Sequence, residues 1–187
     1  VRGPWSVVRG PWSVVRAAAV LLILAVSGGV LTAQSAAAAP VVPVIGGGGN
    51  WVGQVGSDGW VLAGWNNGAD LAVLPAGVTL VATASNAPYT WAAPTTDPRA
   101  LESWDSSSRR SAVWWHPDAV QLTMHFTAAY AGTLSVYAVD WDSNDRREIV
   151  SIDDGTAEHT AAVTSTFHGG VWVAAPVSVG AGGSVTI

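Results

Sequence analysis

The chain has 187 residues and a mass of 19.1 kDa, the size of one ordinary domain. Hydrophobic residues make up 49% of it and charged residues 11%, a balance that excludes a disordered chain. Cysteine is absent and all 8 basic residues are arginine, which removes disulfides, thiolate metal sites, a cysteine nucleophile and lysine-dependent chemistry.

Residues 1–38 read as a signal peptide. Arg2, Arg9 and Arg16 are the only charges there, and they precede the apolar run Ala17–Val26 and then the small residues Ala33–Ala39. That order is a positive n-region, an h-region and an A-x-A cleavage region, with the cut expected after Ala36 or Ala38. The apolar run is too short for a membrane span, which needs roughly 20 residues. The segment VRGPWSV occurs twice, at Val1–Val7 and Val8–Val14, and carries no heptad pattern. Export places the protein in the extracellular space, with no membrane contact after cleavage. The remainder holds five arginines against 13 acidic residues, a formal charge of −8 that repels phosphate backbones. Nucleic acid is therefore excluded as a partner.

Residues 39–49 form a Pro/Val/Gly linker ending in four glycines, which predicts flexibility. From Asn50 onward short apolar runs alternate with Gly, Pro, Asn, Asp and Ser clusters, the punctuation of an all-β chain. The predicted strands are Gly59–Trp65, Val78–Thr83, Tyr89–Ala92, Ser111–Trp115 and Val120–Phe126, then Gly132–Asp140, Arg147–Asp153, Thr160–Phe167 and Val171–Val177. Asp97–Ser103 has room for one short helical turn, and nowhere does an apolar stripe of helical period persist. In Gln121–Thr127 the residues Leu122, Met124 and Phe126 share one face; in the next strand Leu134, Val136 and Ala138 do. Residues 50–187 are thus expected to form an antiparallel β-sandwich of the jelly-roll kind. Ser184–Ile187 starts a last strand whose brevity predicts an unpaired edge, or a chain truncated at its C-terminal strand.

One succession of residues resembles a known type of module. It comprises Asn50-Trp51-Val52-Gly53, Gly56-Ser57-Asp58-Gly59-Trp60, Thr95-Thr96-Asp97-Pro98-Arg99-Ala100-Leu101, Ala112-Val113-Trp114-Trp115 and Tyr137-Ala138-Val139-Asp140-Trp141-Asp142, followed by Arg146-Arg147. It is similar to a β-sandwich module of about 150 residues, galactose-binding-like, found in secreted bacterial proteins and often appended to carbohydrate-active enzymes. The resemblance runs from about Gly49 to Ile187 and implies the fold and an extracellular, non-catalytic role. It carries over no functional residue.

Tryptophan is the strongest chemical signal, with nine of the 11 beyond the leader. Sugar rings present apolar C–H faces that stack on indole, and their hydroxyls need Asp or Arg at the rim. Trp104, in the polar loop Glu102–Ser108, is the indole expected to be most exposed, whereas Trp114 or Trp115 must face the core. Trp141 lies in a second polar stretch, Asp140–Arg147. There Asp140 and Asp142, two apart at a strand end, either pair with Arg146, Arg147 or Arg99 or supply oxygen ligands for Ca²⁺. Asp97 before Pro98 reads as a turn, and Arg99 as a partly buried guanidinium paired with Asp97, Asp140 or Asp142. The candidate ligand-binding set is therefore Trp104, Trp141, Asp97, Arg99, Asp142 and Arg146, with Asp140 and Asp142 as the weaker metal pair and no other cofactor.

Nothing singles out a catalyst. Asp142 with Asp153 or Glu148 is the only nameable carboxylate pair for a glycosidase, and no nucleophile elbow surrounds Ser57. His116, His125, His159 and His168 lack paired metal spacing, and His116 and His168 read as turn residues. The expected function is binding of a glycan or cell-wall polysaccharide without catalysis. The alternatives are a structural or adhesive β-sandwich whose tryptophans are all core, and a fragment of a larger secreted glycoside hydrolase.

Overall fold

The computed structural model describes Leu22–Ala25, Val41 and residues 43–187. Fourteen strands and no helix lie among the described residues. The first seven are β1 (Leu22–Ala25), β2 (Val44–Ile45), β3 (Gly59–Asn66), β4 (Ala69–Val73), β5 (Val78–Ala84), β6 (Asn86–Ala92) and β7 (Leu101–Glu102). The rest are β8 (Arg109–Trp115), β9 (Gln121–Phe126), β10 (Tyr130–Ala138), β11 (Glu148–Asp153), β12 (Glu158–Val163), β13 (Val171–Val179) and β14 (Ser184–Thr186). They form an antiparallel β-sandwich. One sheet runs β2-β13-β10-β1-β3-β4, the other β12-β11-β14-β9-β5, and a small third sheet runs β6-β8-β7.

The main core follows from period-two alternation. Val61 and Ala63 of β3, Leu134, Val136 and Ala138 of β10, and Val171, Val173, Ala175, Val177 and Val179 of β13 line the inner face of the six-stranded sheet. Leu122, Met124 and Phe126 of β9, Ile152 of β11, Ala161 and Val163 of β12 and Val185 of β14 meet them from the five-stranded sheet. The outer face of the six-stranded sheet is covered as well. Leu62, Tyr137 and Val139 pack there with Trp51, Leu101 and Val113, and Trp60, Trp65, Trp91, Trp115, Trp141 and Trp172 close around them. Trp114 faces the main core and Trp115 the outer layer, the split that adjacent strand residues require.

One bulge decides where Trp65 goes. Strict alternation from Val61 and Ala63 would turn it inward, but the β3–β4 register shifts between Leu62 and Asn66. Gly64 takes φ +58 there, and a Cβ on it would meet Pro88 at 2.8 Å. Trp65 is thereby rotated to the outer layer, beside Leu62.

Several expectations change. The glycine linker is docked: Gly46 and Gly48 donate to the carbonyls of Gly170 and Gly169, and Gly49 to that of Pro98. Gly49 is buried, and a Cβ on it would lie 2.2 Å from the Ala100 oxygen. Close approach of backbone to backbone, not flexibility, is what this glycine serves. The helical turn at Asp97–Ser103 reduces to one bond from Ala100 N–H to the Asp97 carbonyl, after which the chain enters β7. Strand β4, missed in the sequence, is mostly exposed and alternates poorly. The last strand is no edge: β14 lies between β9 and β11, with Ser184, Val185 and Thr186 opposite His125, Met124 and Thr123.

The expected signal peptide, its duplicated segment and its cleavage region lie outside the described residues except for β1. This piece of the apolar run is paired on both sides, Ile23 opposite Ser135 of β10 and Trp60 of β3, Leu24 opposite Leu134 and Gly59. These four residues form a strand between β10 and β3 in the six-stranded sheet.

Candidate functional site

The loops that follow β6 and β10 bring most of the predicted ligand-binding residues together. Asp97 accepts from the backbone N–H of Arg99 at 2.9 Å, an Asx turn that fixes the loop before Pro98 reaches β7. Its carboxylate also takes Nε and Nη2 of Arg99, the latter at 2.7 Å. This fork holds the guanidinium 4.3 Å from the ring centroid of Trp141. The remaining Arg99 nitrogen donates to the Trp141 carbonyl at 3.3 Å and to His168 Nε2 at 2.7 Å. His168 Nδ1 faces the carbonyls of Asp140 at 2.8 Å and Ser143 at 3.1 Å, so the ring proton belongs on Nδ1 and Nε2 accepts. His168 is therefore a clamp between two loops, more than the turn residue the sequence implied.

A second ion network underlies the first. Asp140 is fully buried, and its oxygens accept from the Ser143 hydroxyl at 2.8 Å, the Ser143 and Arg146 backbone amides, and the Arg146 guanidinium. The same guanidinium pairs with Asp142, whose other oxygen accepts from Trp91 Nε1 at 3.3 Å. Burial pushes the Asp142 carboxyl up, but Arg146 outweighs it and holds the group below the ordinary carboxylate range. Arg99 does the same for Asp97, there by hydrogen bonding that exceeds the burial cost.

This geometry answers the calcium reading. The space between Asp140 and Asp142 is filled by Arg146, and every Asp140 oxygen is already engaged. A divalent cation there would lie against a guanidinium, so the pair does not fit a calcium site. Among the described residues no group of three or more His, Asp or Glu is arranged to hold a metal ion.

The two networks carry an aromatic surface. Trp91 and Trp141 lie with centroids 6.4 Å apart and planes 21° apart, and Tyr89 meets Trp91 edge-on at 5.6 Å. Tyr89 is 52% exposed, and both indoles are half-buried. Trp141, Asp97, Arg99, Asp142 and Arg146 thus belong to one site. Trp91 and Tyr89 join it from β6, which the sequence marked only as a strand with one tryptophan among many. Their neighbours in sequence, Pro88 and Thr90, gave no polar cluster to draw attention.

Trp104 lies elsewhere in the contact pattern. As expected it is exposed, at 52%, but it stacks on Trp60 with centroids 6.2 Å apart and planes at 6°. Trp60 in turn leans on Trp51, whose indole N–H donates to the Glu102 carbonyl at 2.8 Å. The Trp104 loop is closed by Asp105, which the hydroxyls of Ser103 and Ser107 hold down at about 2. The carboxylates suggested for glycosidase chemistry separate too: Asp142 is bound to Arg146 in the aromatic site, whereas Asp153 and Glu148 border a cleft beside β11. Comparison with known proteins finds no matching family model, no matching curated protein and no matching solved structure.

Proposed function

We propose that this chain is a secreted, non-catalytic module that binds glycan or cell-wall polysaccharide on the Tyr89–Trp91–Trp141 surface. The observation that carries the reading is a partly exposed aromatic group, with Tyr89 open to solvent and Trp91 and Trp141 half-buried, beside ion-paired loops. Indole faces supply the C–H stacking surface a sugar ring needs, and they cost stability when left wet without a use. Arg99 covers one face of Trp141, so a sugar would stack on the surface Trp91 and Trp141 leave open, with Asp142 and Asp97 accepting its hydroxyl protons. Export rests on the order of charged, apolar and small residues at the N-terminus.

The test is retention of the full chain on insoluble polysaccharides such as cellulose, chitin and xylan. We expect binding to at least one polymer, weakened about tenfold or more by Trp91→Ala and by Trp141→Ala. Native protein that stays in solution over every polymer would overturn the reading. A structural or adhesive module is the second reading. It is favoured by the fact that Asp97, Arg99, Asp142 and Arg146 all spend hydrogen bonds on one another. Under that reading the two tryptophan variants lower stability and change no retention.

A further inference from the structure

A cleft of about 390 Å³ is lined by residues of β9, β10, β11 and β14 and their loops, apart from the aromatic surface. Its volume lies in the range of small-molecule sites, roughly 300–1,000 Å³. Val120, Val150 and Ile187, each partly buried, give it an aliphatic wall, and among the described residues that line it there is no tryptophan, tyrosine or phenylalanine. A sugar ring would find no indole to stack on here. The rim carries Asp118, Glu148, Asp153 and Glu158 around the mouth against one cation, Arg147. That cation is committed elsewhere, because its nitrogens donate to the carbonyls of Thr164, Asn144 and Arg146 at 2.8, 3.3 and 2.6 Å. Glu158 and Asp153 each spend one oxygen, on Ser151 at 3.0 Å and on the Gly155 amide at 2.8 Å, and keep further acceptor sites.

The lining therefore offers an apolar bed and a rim of acceptors with a formal charge of −3. An occupant must bring the donors, the positive charge and a narrow aliphatic body. We propose that this cleft is a binding site for an alkylammonium group, with its methylene stem on Val120, Val150 and Ile187 and its ammonium among Asp118, Asp153 and Glu158. A free aliphatic amine and a lysine side chain of another polypeptide share that chemistry. The inference does not depend on the glycan reading, since the two surfaces share no residue.

The experiment titrates the full chain with n-hexylammonium chloride and follows the methyl resonances of Val120, Val150 and Ile187. Saturable shifts are expected, and equal concentrations of 1-hexanol or hexanoate should produce none. Asp118→Asn and Glu158→Gln, both at exposed positions, should each weaken the hexylammonium affinity about two- to fivefold. Ala119→Trp, also exposed and at the mouth, should abolish it while leaving polysaccharide retention unchanged. Repeating the titration with Nα-acetyl-lysine methylamide separates the sources: tighter binding than hexylammonium assigns a polypeptide lysine, weaker binding a free amine. Equal shifts with 1-hexanol, no saturable shift with either ammonium probe, or indifference to all three variants would overturn the proposal.

Discussion

The two faces of β10 lead into two kinds of interior. On one side Leu134, Val136 and Ala138 enter a core between the sheets that is mainly aliphatic, with Trp114, Phe126 and Phe167 as its aromatic members. On the other, Tyr137 and Val139 enter a layer built of indoles, and there half of the rings have a polar handle that is tied down. Tyr137 donates to the Arg99 carbonyl at 2.7 Å, Trp172 to that of Gly48 at 2.9 Å, and Trp51 to that of Glu102 at 2.8 Å. The aliphatic core is held by shape and burial, the aromatic layer by burial and by hydrogen bonds into loops. The loops that present the candidate site are thus anchored by the layer beneath them. Changing a ring handle moves a loop, and changing an aliphatic residue moves only the fold.

The sharpest way to separate the two interiors is by size of effect. Phe126→Ala empties the aliphatic core at a residue 2% exposed, and should cost about 3–5 kcal/mol in a urea titration. Its stacking on Tyr130 at 5.2 Å adds to that loss. Beneath the aromatic layer the largest single effect is Asp140→Asn. It leaves Arg146 buried with Asp142 as its main partner, and breaking such a pair costs about 3 kcal/mol. The Asn variant should also lose polysaccharide retention, because the loop carrying Trp141 depends on that carboxylate. Phe126→Ala protein that remains folded should retain it. Retention lost in both or kept in both would mean that the two interiors are not independent.

A pH titration sharpens the division further. Burial pushes the Glu102 carboxyl up, but the Val52 and Trp51 amides that it accepts outweigh this and hold it below its ordinary 4.5. Asp97, Asp142 and Asp154 are lowered as well. A carboxyl lowered in the folded state stabilises the fold above its unfolded pKa and loses that contribution as pH falls through the lowered value. Stability should therefore be flat above about pH 5 and fall below about 4.5. Glu102→Gln keeps one acceptor and gives up the charge, costing about 1–2 kcal/mol at pH 7. The difference between the variant and the parent should shrink as the pH falls through the lowered Glu102 value. A difference that does not change with pH would mean that Glu102 acts by packing, not by charge.

The aliphatic core was legible in the sequence because a strand with one repeating face announces itself by spacing alone. Leu122-Met124-Phe126 and Leu134-Val136-Ala138 were readable that way, and β13 alternates along its whole length. The aromatic layer was half legible. The turn before Pro98 and the carboxylates flanking Trp141 named the loops, since polar clusters stand out against apolar runs. Trp91, Tyr89 and His168 escaped because their roles depend on which strands lie side by side. The β6–β8 pairing brings Tyr89 opposite Val113, and no local pattern records that. Strand β1 escaped for another reason: the spacing of an apolar run behind arginines records nothing of its pairing with β3 and β10.

The smallest expected effect bears on how many surfaces the aromatic layer presents. Trp104 lies flat on Trp60, half of it in water, outside the Tyr89–Trp91–Trp141 group of ring contacts. A stacked aromatic pair contributes about 0.5–1.5 kcal/mol beyond its buried area, and exposure reduces this. Trp104→Ala should therefore cost under about 1 kcal/mol in the same urea titration. Its loop keeps its own closure through Ser103, Asp105 and Ser107, so Glu102 and the Trp51 handle stay in place. Retention on polysaccharide should match the parent, unlike that of the Trp91 and Trp141 variants. If Trp104→Ala instead weakens retention as much as Trp141→Ala, the two tryptophan pairs act on one ligand. The aromatic layer would then be a single extended binding face, long enough to span several sugar units.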